Sequence, residues 1–240
     1  MKTIRRRHRL GTLATLMLMG LSVACASGSR TVAGPAAPPS VQTPEPGIAT
    51  LTPEAQGVAQ IVTAANVAAW GRSHSDPGAL IMAARILAEV PVRADADSTE
   101  AMLTPDSLLD EAETFAGGSQ GVLDAIALLR SRTQNGGTRG VRSSPFGQGP
   151  IFMVREIKAR ETYWFEVEAR GGEVLRVAAI GDGDTNIDMS VRDSAGALVC
   201  QDGFGDHYPV CTVQRQQAGK MRIDIVNRGA VWTKVQILSN

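Results

Sequence analysis

The chain has 240 residues, with 24 basic and 24 acidic side chains and a formal net charge of zero. Five basic residues and no acidic one precede Cys25, so the chain from Cys25 onward keeps 19 basic against 24 acidic side chains, a net charge of about −5. A protein of that charge lacks the basic surface by which nucleic-acid-binding proteins hold phosphates, so we exclude that class of function.

The N-terminus has the layout of an export signal. Lys2 and four arginines precede an apolar run over residues 10–24 that is short for a membrane span. Ala24-Cys25-Ala26 matches the small-x-small rule of ordinary signal peptidase, while residues 21–25, LSVAC, resemble a bacterial lipobox with Cys25 as the acylated residue. We favour lipidation of Cys25, because a flexible tract follows. We expect residues 1–25 to be a signal peptide and the protein to be periplasmic or a membrane-anchored lipoprotein of a bacterial envelope, contacting the membrane only through that anchor.

The next two segments differ in composition. Residues 26–51 are rich in Pro, Ser and Ala, which predicts an extended linker. Residues 52–133 carry apolar residues at helical spacing in four segments, which predicts a helical domain of two antiparallel hairpins. Each segment has a start signal: Thr52-Pro53, Asp76-Pro77, Thr104-Pro105 and Ser119. The segment loosely resembles tetratricopeptide-like helical hairpins, and both a ligand-free bundle and a partner-binding groove are consistent with it.

Residues 117–121, GGSQG, match the G-x-S-x-G string of serine hydrolases. A nucleophile elbow follows a buried strand, whereas Ser119 lies between two helical patterns and serves as a helix N-cap. The two histidines beyond the signal segment, His74 and His207, lie in different predicted domains. We therefore predict no catalytic residues, no required cofactor and a non-catalytic protein.

The remaining chain predicts a linker and a β-domain. Residues 134–150 are rich in glycine and form the linker. From residue 151 to 240 the apolar period becomes two, with turn residues every 8 to 12 positions, which predicts seven or eight strands in a sandwich or jelly roll. The expected fold class is therefore α+β in two domains, with an N-terminal helical-hairpin module followed by an all-β, jelly-roll-like sandwich.

An acidic loop, GDGDTNID over residues 181–188, leads into one of these strands. Asp182, Asp184 and Asp188 lie within it, and Asp202 and Asp206 follow in a second acidic loop. The spacing imitates an EF-hand, but an apolar residue stands where that loop needs glycine, and a strand rather than a helix follows. Two interpretations stay open: a calcium site formed by these five carboxylates, or tight turns that Asp, Asn and Gly favour.

Cys200 and Cys211 form a pair once Cys25 is set aside, and we predict a disulfide between them. A zinc site is the rival interpretation and lacks ligands, because only His207 lies nearby. Among the aromatic residues, Trp164 alternates with Tyr163 and Phe165 and is expected to face outward. It is a candidate ligand contact for a glycan or a protein, unless it packs against the helical domain.

Residues 152–238 resemble the bacterial pre-peptidase C-terminal domain family. The resemblance rests on the GDGDTNID loop, the SAG turn at 194–196, the acidic QDGFGD loop at 201–206 and the NRG turn at 227–229. It implies a jelly-roll-like sandwich with an accessory binding role, and no proteolysis, since no peptidase accompanies it here. The expected function is a tethered, non-catalytic envelope protein that acts through protein–protein contacts. The alternative is a calcium-stabilised, carbohydrate-binding accessory module of a secreted hydrolase system.

Overall fold

The structure, a computed structural model, describes residues 49–98, 100–136, 144–205 and 208–240. The predicted signal segment with Cys25, most of the first linker, and Asp206 and His207 lie outside the described residues. No described helix is both long and apolar enough to cross a membrane. The described residues group into one compact unit.

Four helices form where the start signals predict them. They are α1 (Pro53–His74), α2 (Pro77–Ala88), α3 (Pro105–Phe115) and α4 (Gln120–Gly136). The side chains of Thr52, Asp76 and Thr104 accept hydrogen bonds from backbone N–H groups of the first turns of α1, α2 and α3. These oxygens satisfy donors that have no partner inside the helix, so each helix begins at its cap. Helix α4 continues to Gly136, three residues into the segment predicted as a linker.

Nine strands form two sheets. They are β1 (Arg93–Ala94), β2 (Ile151–Ile157), β3 (Thr162–Ala169), β4 (Val174–Gly181), β5 (Ile187–Asp193), β6 (Leu198–Asp202), β7 (Val210–Gln214), β8 (Gly219–Asn227) and β9 (Thr233–Ser239). One sheet has the order β1-β2-β9-β4-β7 and the other β3-β8-β5-β6. Only the short β1 pairs in parallel, with β2. The mixed α+β class with a β-sandwich is therefore confirmed.

The first of two hydrophobic cores lies between the sheets. The predicted alternation of β5 is confirmed, because Ile187, Met189 and Val191 are all buried there. Strand β8 contributes Ile223 and Ile225, and the five-stranded sheet contributes residues of β4 and β9. Alternate residues of the four-stranded sheet thus face this core. The other face of the four-stranded sheet is exposed.

The second core lies between the helices and the opposite face of the five-stranded sheet. Phe152, Ala178, Ile180 and Leu238 of that sheet cluster with buried residues of all four helices. The five-stranded sheet is consequently covered on both faces, and β4, reading VLRVAAIG, is buried along almost its whole length. The helical segment and the sandwich, predicted as separate domains, share this core.

Polar contacts also join the helices to the sheet. Gln236 on β9 is buried, and its Oε1 accepts hydrogen bonds from the backbone N–H groups of Met102 (2.7 Å) and Leu103 (3.0 Å), just ahead of α3. The described end of the predicted second linker is packed as well, since Phe146 contacts the helical core. These contacts fix the helices against the face of the five-stranded sheet.

Candidate functional site

The predicted disulfide is confirmed. Cys200 on β6 and Cys211 on β7 are joined, with their Cα atoms 5.8 Å apart. Because β6 is at the edge of one sheet and β7 at the edge of the other, the bond links the two sheets along one side of the sandwich. It stabilises this side of the sandwich.

The loops that follow β2, β4 and β8 meet at one end of the sandwich, here called the loop end. Asn227, fully buried, organises it: its Nδ2 donates to the carbonyls of Ile157, Lys158 and Val231 at 2.7–3.2 Å. The backbone N–H of Arg228 donates to the carbonyl of Asn186 in the acidic loop. The buried amide of Asn227 therefore joins the β2–β3 loop to the β8–β9 turn. The backbone hydrogen bond of Arg228 joins the β4–β5 loop to the same turn.

Asp182 and Asp188, two of the described carboxylates predicted to bind calcium, lie at this end and are each held by other residues of the protein. Asp182 accepts from Thr233 Oγ1 (2.6 Å) and from the backbone N–H of Lys234 (2.8 Å). Asp188 is paired with the guanidinium of Arg228. Within the described residues, no group of three or more His, Cys, Asp or Glu is placed to hold a metal ion. The hydrogen bonds of the acidic loop match the tight-turn interpretation.

The other two described calcium candidates, Asp202 and Asp184, differ in their surroundings. Asp202 accepts a hydrogen bond from the backbone N–H of Val210, across the loop that separates β6 from β7. Asp184 is exposed, and no hydrogen bond to its carboxylate is seen among the described residues. Asp184 is thus the one described carboxylate of the predicted set that is not engaged in holding a turn.

A cleft of about 410 Å³ lies between α1 and the loop end. One wall is formed by Asn66 and Ala69 of α1, and the other by the acidic loop and by Tyr208 after β6. Its volume is within the range of pockets that hold small molecules. Within the described structure, the side chains of Asn66 and Tyr208 have no hydrogen-bond partner, and Thr185 Oγ1 is buried without one.

Burial raises the pKa of the Tyr208 hydroxyl above its ordinary value, so this group is neutral at physiological pH. The nearby Arg72 opposes that shift, but its guanidinium is held by Glu111 through two hydrogen bonds of 2.6 and 2.7 Å. The same hydrogen bonding to Glu111 raises the pKa of Arg72. The hydroxyl can therefore both donate and accept a hydrogen bond at the cleft.

The outer face of the four-stranded sheet carries Trp164, as the alternation predicts. Its side chain is 52% exposed. The Arg222 guanidinium lies over its ring, with Cζ 4.5 Å from the ring centroid, and Arg222 Nε donates to Asp224 at 2.9 Å. The helices cover the other sheet, so the alternative in which Trp164 packs against them does not hold.

The residues of the G-x-S-x-G string are not arranged as a nucleophile elbow. Ser119 is exposed and directly precedes α4, whose first turns hydrogen-bond to its carbonyl. His74 is at the end of α1, where its ring stacks on Trp70 with centroids 4.3 Å apart. Among the described residues, the string is the start of a helix rather than a strand-to-helix turn.

The cleft and two of its residues, Asn66 and Tyr208, are not predicted by the sequence. The sequence predicts the helices and the sandwich as separate domains, and that layout does not include a helical wall beside the strands. A usable signal was present in β4, because VLRVAAIG is a nearly continuous apolar run, which is typical of a strand in a sheet covered on both faces. An apolar strand of this kind predicts that helices cover the second face of the sheet. It does not indicate that Asn66 lines a cleft.

No protein-family model matches this chain, and no curated protein matches it either. Among solved structures, similarity is found to PliG, a periplasmic lysozyme inhibitor of g-type lysozyme from Aeromonas hydrophila, at 14% identity over 38% of this chain and 86% of that one, with a TM-score of 0.28. A de novo designed double-stranded β-helix has 15% identity over 37% of this chain and 97% of its own, with a TM-score of 0.25. The glycosylation associate protein (Gap123) complex from Streptococcus agalactiae matches 37% of this chain and 20% of that one at 10% identity, with a TM-score of 0.26.

Proposed function

We propose that this chain is a non-catalytic, exported binding module that acts through protein–protein contacts, and that its contact surface is the outer face of the four-stranded sheet. The observation that carries the proposal is the exposed Trp164 held beneath Arg222 on that face. Tryptophan and arginine are the residues most enriched among those that dominate the energy of protein interfaces.

The geometry supports this role because the pair is already ordered. Asp224, opposite Trp164 in the strand register, has a side chain only 13% accessible and holds the Arg222 guanidinium over the indole. Immobilising a long side chain on binding costs roughly 0.5–1.5 kcal/mol, and a side chain that is held beforehand avoids much of that cost. A partner therefore meets an indole ring and a guanidinium that are already stacked on each other.

Charged residues surround this surface in pairs of opposite sign. Glu166 and Lys220 are 3.2 Å apart on neighbouring strands, and Arg192 lies 3.9 Å from Asp224. Exposed pairs of this kind add little stability, but they provide an alternating pattern that a complementary protein surface can match. The pattern favours a partner with its own mixed charges over a strongly basic or acidic one.

We infer a jelly-roll winding for the sandwich, in line with the pre-peptidase-like resemblance. Along the chain, β2 pairs with β9, β3 with β8, β4 with β7 and β5 with β6, so the first half of the domain is matched strand by strand with the second. This nested pairing supports the description. The lipid-tethered location stays a proposal, and mass spectrometry of the native N-terminus tests it through the mass of a diacylglyceryl Cys25.

The surface is tested by capture of envelope proteins on the immobilised protein, with quantification by mass spectrometry. We expect Trp164→Ala to reduce the capture of a specific partner at least about tenfold, as for a central interface residue. Trp232→Ala is the matched control, because Trp232 is similarly exposed (56%) on the β8–β9 turn. Equal loss in both variants, or undiminished capture by Trp164→Ala, would contradict the proposed surface.

A further inference from the structure

We infer that the cleft between α1 and the loop end binds a neutral saccharide through protein atoms alone, without a metal ion. This site is separate from the surface around Trp164, because Trp164 lies on the outer face of the four-stranded sheet and the cleft adjoins the five-stranded sheet. The inference therefore does not depend on the proposed function.

The first support is the hydrogen-bonding capacity of the two walls. Asn66 on α1 and Tyr208 on the opposite wall present an amide and a hydroxyl with no partner among the described residues, and the carboxylate of Asp184 is exposed. Sugar hydroxyls both donate and accept, so they can pair with a carboxylate, an amide and a phenol at once. A ligand with only donors or only acceptors would leave part of this set unpaired.

The second support is the charge of the lining. Asp184 is the single charged residue among the described lining residues, and Asp182 lies two residues before it. Phosphate or carboxylate ligands are repelled by this arrangement, and no lysine or arginine among those residues offsets it. The guanidinium of Arg72 near Tyr208 is already paired with Glu111. The charge of the described lining thus disfavours anionic ligands.

The third support is the apolar part of the lining. Ala69 from α1, Ile187 from the start of β5 and Pro209 ahead of β7 also line the cleft. Ligand sites combine such apolar surface with a few placed polar groups. The C–H face of a pyranose ring can pack on that surface while its hydroxyl groups reach the polar side chains, whereas a small cation has no use for it.

The walls are also held in place before any ligand arrives. Gly205 has a φ of +79°, and a Cβ there would lie 3.1 Å from the side-chain oxygen of Asn186, so the two loops approach closely at this glycine. Asp182 fixes the other end of the acidic loop through Thr233 and Lys234. A site ordered in advance loses less entropy on binding, so modest contacts are sufficient for measurable affinity.

The experiment is a titration of the purified protein with maltose, cellobiose, lactose and N,N′-diacetylchitobiose, in the presence of EDTA, by isothermal calorimetry and amide NMR. We expect saturable binding of at least one disaccharide, with the largest NMR shifts at residues 66–69, 183–187 and 208. Tyr208→Phe and Asn66→Ala should each weaken that binding about fivefold to tenfold, since each removes one hydrogen bond.

Tyr163→Phe is the matched control, because that hydroxyl receives a hydrogen bond from Arg155 elsewhere in the sandwich. It should leave saccharide affinity unchanged, as should Trp164→Ala. The inference is overturned if no disaccharide binds in EDTA, if binding is seen only when EDTA is replaced by calcium, or if Asn66→Ala and Tyr208→Phe bind as tightly as the parent chain. Saturable binding of inorganic phosphate or spermidine at the same residues, with no saccharide binding, overturns it as well.

Discussion

Replacing Gln236 with leucine should destabilise the protein by about 2–4 kcal/mol. The amide oxygen of Gln236 is the acceptor for the N–H groups of Met102 and Leu103, and leucine has a similar size but no acceptor. An unpaired donor that is buried costs roughly 1–3 kcal/mol; the Leu103 bond is buried and the Met102 bond partly so, which places the sum in this range. The loss is a large share of the free energy of unfolding of a typical protein, which is about 5–15 kcal/mol.

Urea unfolding measures this change, followed by far-ultraviolet circular dichroism for the helices and by tryptophan fluorescence. Because the helices and the five-stranded sheet share one core, both signals should report a single transition in the parent chain. Gln201→Leu is the control: Gln201 is exposed on β6, so its replacement should change stability by less than about 0.5 kcal/mol. A Gln236→Leu effect no larger than that of the control would refute the reasoning.

Two further predictions concern the disulfide and the buried tyrosine. Replacing Cys200 and Cys211 together by alanine should lower the free energy of unfolding by about 3 kcal/mol, since the bond reduces the conformational entropy of the unfolded chain. Urea unfolding measures this change, and an unchanged midpoint would contradict it. In a Tyr163→Phe background, Tyr208 is the single tyrosine, and its absorbance titration should occur above pH 10, its ordinary pKa. The stability that its neutral form contributes should be complete below that pH and be lost as the pH rises through the higher, folded pKa; titration at or below pH 10 would be inconsistent with its burial.

The local features of the fold could be predicted because each depends on neighbours in the chain. Thr52, Asp76 and Thr104 cap helices through hydrogen bonds to residues two or three positions ahead. The alternation of β5 follows from a strand with one buried face. The disulfide could be predicted by counting cysteines, since Cys200 and Cys211 are the two cysteines beyond the signal segment.

The cleft could not be predicted, because it depends on contacts between distant parts of the chain. Asn66 and Tyr208 are 142 positions apart and become neighbours of one cavity only when α1 packs on the sheet. The roles of the acidic-loop carboxylates could not be predicted either, because they also depend on distant residues. Its spacing imitates a metal site, but Thr233 and Arg228, more than 35 residues later, take up the oxygens of Asp182 and Asp188.

The pairing of Thr50 with Glu173 fixes the start of the described structure at one end of the sandwich. Thr50 bridges to the chain just before β4, and Asn240 contacts Thr52 at 3.3 Å beside it. The cleft adjoins the other end of β4, about 23 Å away for a strand that rises about 3.3 Å per residue. Ala49, where the described structure begins, therefore lies near the pole of the sandwich opposite the cleft.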